Sequence, residues 1–443
     1  MTKTKRAVWG WAMYDWANSA FATTVIAGFF PIFFKQYWSF GTDVNTSTAL
    51  LGIANSISSL IVALLAPILG AIADGGSLRK RLLILFAYLG VLMTASLFMV
   101  GKGNWAGAIF IYTLGNIGFA GANVFYDSLL PSVAGKENID YVSGLGYGLG
   151  YLGGGLLFFF NVWMTMSPAT FGLPDAGYAV RISFVTVAAW WGLFTIFTIL
   201  WVPEAKTHAP KEGMRKIIRE GFRRVEGTFK EIRHMKTILL FLVAYWCYID
   251  GVDTIIRMAV DYGMSIGFDS SDLIIALLLV QFIGFPAALV FGKLGQHWDT
   301  KKSIYLAIAI YVFITLWGMM MERKEEFYIL AIMIGLVQGG IQALSRSYYS
   351  RLIPKNRTAE FYGFYNMLGK FAAILGPLFI GMTGLFARRL LLPDSPTPTE
   401  IFHVGQLAAR WGMSSILILF IAGAVIFSFV DEEKGKEEAA QLK

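Results

Sequence analysis

The chain has 443 residues, 56% of them hydrophobic and only 15% charged, with a formal net charge of +8 and a mean hydropathy of +0.59. Soluble domains carry roughly 25% charged residues, so this balance excludes a soluble fold and identifies an integral membrane protein. The positive charge is assigned to cytoplasmic loops rather than to nucleic-acid binding, and a single cysteine, Cys247, excludes an internal disulfide.

Lys3, Lys5 and Arg6 precede an apolar run too long and too polar within for a signal peptide, so it reads as a retained first span. Twelve spans of about 20 residues or more are predicted. Six cover 9–37, 47–73, 82–101, 105–130, 141–166 and 178–202; six more cover 238–262, 272–295, 303–321, 327–353, 360–387 and 405–430. The first contains Tyr14-Asp15-Trp16-Ala17-Asn18-Ser19-Ala20-Phe21, where Asp15, Asn18 and Ser19 share one helical face. A charge at the bilayer centre costs about 2.5–3.5 kcal/mol, so that stripe is expected to face a cavity. The second span ends in Gly70-x-x-x-Asp74, followed by Arg79, Lys80 and Arg81. Asp127 closes the fourth. In the fifth, Gly148-Leu-Gly150-Tyr-Leu-Gly153 matches the dinucleotide fingerprint literally but follows no strand. Its glycines read instead as a face for close helix packing.

The interval 203–236 places Ile217, Ile218, Phe222, Val225, Phe229 and Ile232 at helical spacing among Lys and Arg, a basic amphipathic tether at the headgroup boundary. The seventh span then carries Asp250, Asp253, Arg257 and Asp261 as one stripe. The eighth ends in Gly295-x-x-x-Asp299 before Lys301 and Lys302; Arg346 closes the tenth, and Lys370 and Gly376-Pro377 lie in the eleventh. The charged tail after Asp431 is expected to fray. With the N-terminus inside, 25 of the 37 Lys and Arg fall in inner segments and six in outer ones, so both termini are predicted cytoplasmic.

The chain repeats itself. Asp250 and Asp253 stand 235 positions after Asp15 and Asn18, and Gly295 and Asp299 stand 225 after Gly70 and Asp74. Gly121, Asp127 and Gly144 precede Gly340, Arg346 and Gly363 by 219. Two six-span halves of like topology follow: an N-terminal bundle over 1–202, a cytoplasmic linker over 203–236, a C-terminal bundle over 237–430 and a cytoplasmic tail over 431–443.

The Gly-x-x-x-Asp turn with its basic residues resembles the major facilitator superfamily, although Gly75 stands where that family usually has a basic residue. YDWANSAF (14–21) with Phe30-Pro31, Tyr248–Ile255, Gln342-Ala-Leu-Ser-Arg-Ser347 and Glu360-Phe-Tyr-Gly-Phe-Tyr365 are together similar to the vacuole effluxer-like family that includes autophagy-related protein 22. The resemblance implies a twelve-helix major facilitator fold, a cavity lined by spans 1, 4, 7 and 10, and solute transport. Amino-acid export is proposed for eukaryotic members.

The polar residues concentrate in those same four spans. Asp15, Asn18, Asp250, Asp253 and Arg257 are candidates for handling substrate and protons, with Lys370 either an anion contact or a snorkelling side chain. Asp127 and Arg346 are candidate gate charges, Arg346 alternatively a carboxylate ligand. Gly70, Asp74, Arg79, Gly295 and Asp299 are candidate conformational latches. The four scattered histidines have no metal-ligand spacing, and neither a cofactor nor nucleic acid is expected. These residues predict a monomeric secondary transporter in the bacterial inner membrane, moving an amino acid or similar zwitterion by alternating access with protons as the coupling ion. The alternatives are a carrier of sugar, drug or lysolipid, and a non-transporting receptor or scaffold. An enzyme has no supporting constellation.

Overall fold

The computed structural model describes residues 3–40, 44–76, 78–135, 137–204, 227, 235–265, 270–393 and 397–441. Every regular element among them is helical. In chain order these are α1 (Lys3–Trp38), α2 (Val44–Gly76), α3 (Arg79–Met99), α4 (Trp105–Val133), α5 (Ile139–Met166), α6 (Ala176–Trp201) and α7 (Lys236–Ser265). There follow α8 (Ser270–His297), α9 (Thr300–Met320), α10 (Lys324–Leu352), α11 (Thr358–Leu391), α12 (Pro398–Ser414), α13 (Ile416–Ser428) and α14 (Glu432–Gln441). Ten helical stretches among the described residues are long and apolar enough to cross a membrane, α12 and α13 jointly supplying one over His403–Ser428. α2 adds a shorter apolar stretch, Leu60–Asp74. The amphipathic helix expected within 203–236 lies outside the described residues. The tail, expected to fray, is instead helical: the Asp431 carboxylate accepts the Glu433 N–H at 3.0 Å, and Lys436 pairs with Glu432 and Glu433 at 2.8 and 2.7 Å.

The chain divides into two compact units, Met1–Glu231 with Ile353–Lys370, and Ile232–Leu352 with Phe371–Lys443. Residues 353–370, which the sequence places in the C-terminal bundle, are grouped with the first unit in this division. Within that unit the start of α11 is seated on the backbone of α2, as described below.

In the first unit α1 lies on a glycine face of α5. A Cβ on Gly146, Gly150, Gly153 or Gly154 would come within 2.5–2.8 Å of Asp15 Oδ2, Ser19 Oγ, Trp16 O and Thr23 Oγ1 respectively. Small residues at this spacing let membrane helices approach at backbone distance, and they seat the polar stripe of α1 against protein. α1 also leaves regular α geometry, passing through π-type turns at Phe21–Phe29 and Phe34–Trp38. Such turns are rare and cluster at functional sites.

The two units share a fastening. In the first, Arg181 of α6 donates from Nε and Nη2 to the Phe98 carbonyl at 3.0 and 2.6 Å, satisfying the end of α3. In the second, Arg410 of α12 donates to the Met321 carbonyl just beyond α9 at 2.9 Å. The second unit also packs through glycines: a Cβ on Gly251 would meet the Phe420 ring at 2.8 Å, and one on Gly423 would meet Tyr248 at 2.9 Å.

Candidate functional site

The first four N–H groups of a helix have no partner within it. At α11 two of these donors are met from α2. Asp74 Oδ1 accepts the Ala359 N–H at 3.2 Å, and Oδ2 accepts the Glu360 N–H at 2.9 Å. Arg79 Nε donates to the same carboxylate at 2.6 Å. Asp74 and Arg79 are only 2% and 4% exposed, so this is a buried ion pair whose remaining acceptor capacity is filled by backbone. Two glycines make the approach feasible. A Cβ on Gly70 would run into the Ala359 carbonyl, and one on Gly363 would lie 2.5 Å from Ala66 O and 2.6 Å from Pro67 Cα. Glu360 itself is buried, with its carboxylate on Arg357 Nε at 2.9 Å.

The related turn in the second unit is wired differently. Asp299 is exposed, and its carboxylate accepts the Lys302 N–H at 2.7 Å, so it caps α9, the helix it begins. Gly295 is buried and its carbonyl accepts the Thr300 hydroxyl at 3.5 Å.

The candidate solute and proton groups of α1 meet α4. Tyr126 donates its hydroxyl to Asp15 Oδ2 at 2.7 Å. Trp11 stacks on the Tyr126 ring, centroids 4.3 Å apart, and its indole N–H reaches the Tyr126 carbonyl at 2.9 Å. Asn18 donates to Asn123 Oδ1 at 2.6 Å. Gly146 is what lets three of these groups converge, since a Cβ there would be 2.7 Å from both Asp15 Oδ2 and the Tyr126 hydroxyl and 2.9 Å from Trp11. Tyr126 and Asn123 were not singled out in the sequence. The available signal was the polar run Asn123-x-x-Tyr126-Asp127 inside an apolar span.

In the second unit Asp250 is 1% exposed. Its Oδ1 accepts the Gly376 N–H at 3.0 Å and the Thr254 hydroxyl at 3.3 Å, while Oδ2 accepts the Leu375 N–H at 3.2 Å. Two successive backbone donors of α11 thus straddle one carboxylate. A Cβ on Gly376 would collide with the Thr254 hydroxyl and approach Asp250 Oδ1 to 2.9 Å, so this position of α11 has room only for glycine. Asp253 is partly exposed on the next turn of α7. The side chains of Arg257, Asp261 and Lys370 lie outside the described residues.

Of the two candidate gate charges, Asp127 belongs to the first unit and accepts the Asn366 side-chain N–H at 3.1 Å. Arg346 belongs to the second, where it is buried beside Ser345, whose hydroxyl shares a 2.7 Å hydrogen bond with the Tyr248 hydroxyl. Among the described residues no group of three or more His, Cys, Asp or Glu could hold a metal ion.

The sequence model of the family described as "Vacuole effluxer Atg22 like" matches residues 3–383. An uncharacterized MFS-type transporter, YxiO of Bacillus subtilis (strain 168), is 39% identical over 433 residues, covering 97% of this chain and 96% of its own. Autophagy-related protein 22 of Yarrowia lipolytica is 22% identical, over 91% of this chain and 79% of its own. Two solved structures show the fold alone. The human organic anion transporter MFSD10 superposes with a TM-score of 0.68 at 12% identity, over 96% of this chain and all of its own. The proton:xylose symporter XylE superposes with a TM-score of 0.68 at 14% identity, over 99% and 98%. An all-helical membrane fold, a family model spanning most of the chain and a near relative along its whole length agree: the chain belongs to the Atg22-like vacuole effluxer family of major facilitator transporters, carriers rather than enzymes.

Proposed function

We propose that this protein is a twelve-span carrier of two pseudo-symmetric six-helix bundles, 1–202 and 237–430, that moves a small solute by alternating access driven by a proton gradient. The solute to test first is a neutral amino acid or similar zwitterion. In this reading 203–236 is a cytoplasmic linker and 431–443 a cytoplasmic tail. The protein works as a monomer in the bacterial inner membrane, with no nucleic-acid partner.

One observation carries the reading. Asp15 and Asp250, equivalent residues of the two repeats, are acids inside apolar helices, and each is held by donors from another helix of its own unit. Acids in such places serve proton relay, ion coupling or binding of a cationic group. Asp15, Asn18, Asp250, Asp253, Arg257 and Lys370 are accordingly assigned to solute and proton. Asp127 and Arg346 act as gate charges, and Gly70, Asp74, Arg79, Gly295 and Asp299 as latches. Radiolabelled leucine counterflow into proteoliposomes tests the reading: Asp250→Asn should reduce it at least about tenfold, the equivalent of one charge-assisted hydrogen bond. Unchanged counterflow removes Asp250 from the mechanism. For the gate, non-additive losses in Asp127→Ala, Arg346→Ala and their double variant support coupled action.

A second reading keeps the carrier and changes the cargo. The structures of like fold are described as an organic anion transporter and a proton:xylose symporter, so a sugar, drug, organic anion or lysolipid fits the same frame. Counterflow of one of these with none of any amino acid decides for it. A receptor or scaffold would carry none and would show no substrate-dependent change in cysteine accessibility in a Cys247→Ser background.

A further inference from the structure

The tail helix α14 is seated on the beginning of α7 and the end of α10, all within the second unit, through one face. The Glu438 carboxylate accepts both the N–H and the hydroxyl of Thr237, at 3.1 and 3.2 Å. Thr237 is the second residue of α7, so its N–H is one of the donors a helix cannot satisfy itself, and the carboxylate stands at the positive end of that helix. One turn earlier, a Cβ on Gly435 would lie 2.6 Å from the Leu352 side-chain end and 3.0 Å from Thr237, so with Leu352 in place the glycine lets α14 come down onto both helices at once, and a Cβ at 435 finds room when Leu352 is shortened. A further turn back, Glu432 faces Arg351 of α10 at 3.7 Å. Just ahead of α14, Lys301 of α9 donates to the Val430 carbonyl at 2.6 Å, fixing the point from which the helix departs.

What α14 lacks is equally informative. Its sequence, EEKGKEEAAQ, offers no apolar side chain larger than alanine. A helix of ten residues is marginal in water on its own, so its order depends on charge and hydrogen bonds to α7 and α10, which salt screens. A permanent brace would bury apolar area; this one is held by contacts that can be let go.

We propose that α14 is a releasable strap that holds the start of α7 to the end of α10 and must detach for the carrier to complete its cycle. The proposal rests on the transport reading above. α7 carries Asp250 and Asp253 and α10 carries Arg346, so a clasp across their ends acts on both groups of candidate residues without touching solute.

The test uses the full-length Cys247→Ser protein carrying Leu352→Cys and Gly435→Cys, in proteoliposomes. Under a mild oxidant at low salt the pair should form a disulfide in most molecules. Adding Glu432→Gln and Glu438→Gln, or high salt, should slow its formation about tenfold, as loss of charge-assisted contacts predicts. No disulfide, or a rate indifferent to both changes, overturns the seating. Leucine counterflow should then fall at least fivefold on oxidation and return on reduction. An oxidised protein that carries as fast as the reduced one overturns the strap alone. A reduced protein, and the native chain, that carry neither leucine nor any other solute of the screen overturn the transport reading and the strap's role with it, while the disulfide still reports α14 in place.

Discussion

The turns after α2 and after α8 share a glycine–aspartate spacing and have opposite wiring. Both carry glycine four residues before aspartate, with basic residues behind. Asp74 is buried, pairs with Arg79 and satisfies two N–H groups of α11, nearly three hundred residues away in sequence. Asp299 is exposed and satisfies one N–H of the helix that follows it. One motif therefore makes a tertiary contact in the first unit and a local one in the second. The family-like pattern specifies an acid at a turn; which donors reach it is decided by what packs there.

That contrast is broken most directly by removing the acids. Asp74→Ala leaves Arg79 buried without its carboxylate and two backbone donors without acceptors, and losing one partner of a buried pair costs about 3–5 kcal/mol. Asp299→Ala removes an exposed cap worth about 1 kcal/mol. Thermal unfolding of the two variants in the same detergent should show the first loss well above the second. Equal losses would mean that Asp74 is no more than a local cap.

The glycines sharpen the same comparison. Gly363→Ala places a methyl 2.5 Å from the Ala66 carbonyl, where the obstacle is backbone on both sides and cannot swing away. Overpacking of this kind costs about 1–3 kcal/mol, and here it should also separate α2 from the start of α11. The readout is additivity: once Asp74→Ala has removed the contact with α11, Gly363→Ala should add little further loss. Full additivity would show that the glycine and the acid do not belong to one contact.

How much of this was visible in the chain depends on the range of the interaction. The helices were legible because span-length apolar runs have few structural alternatives, and Asp15, Asp74 and Asp250 stood out because acids are rare in such runs. Their partners were not legible. Tyr126, Asn123 and the N–H groups of Leu375 and Gly376 reach these acids and Asn18 through packing between distant helices, and a backbone donor leaves no mark on composition. The seating of 353–370 in the first unit involves Gly70 against Ala359 and Gly363 against Ala66 and Pro67, contacts that neither glycine states alone. The tail was expected to fray because a charged segment with few apolar residues shows no face to seat, whereas Glu438 and Glu432 have specific partners and Gly435 is a contact point.

Glu204 offers the smallest and most specific contrast, because it satisfies a helix start as Asp74 does but outside the spanning segments. Just beyond α6, it accepts the Lys80 N–H of α3 at 3.1 Å. Burial raises its carboxyl above the ordinary range, opposed by the backbone N–H groups of Lys80 and Arg81 and by their charges. A carboxyl raised on folding favours the folded state most when protonated. Its contribution is complete below the unfolded value of about 4.3 and is lost as pH rises through the higher folded value. Glu204→Gln keeps an acceptor for the Lys80 N–H but does not titrate. The wild type should therefore gain stability relative to Glu204→Gln as pH is lowered from 7 toward 4, by a small amount because the group is partly exposed. Midpoints of thermal unfolding for both proteins across that range measure the difference directly, and a wild type that loses ground to the variant on acidification would show that the N–H groups and charges of Lys80 and Arg81, not burial, govern this site.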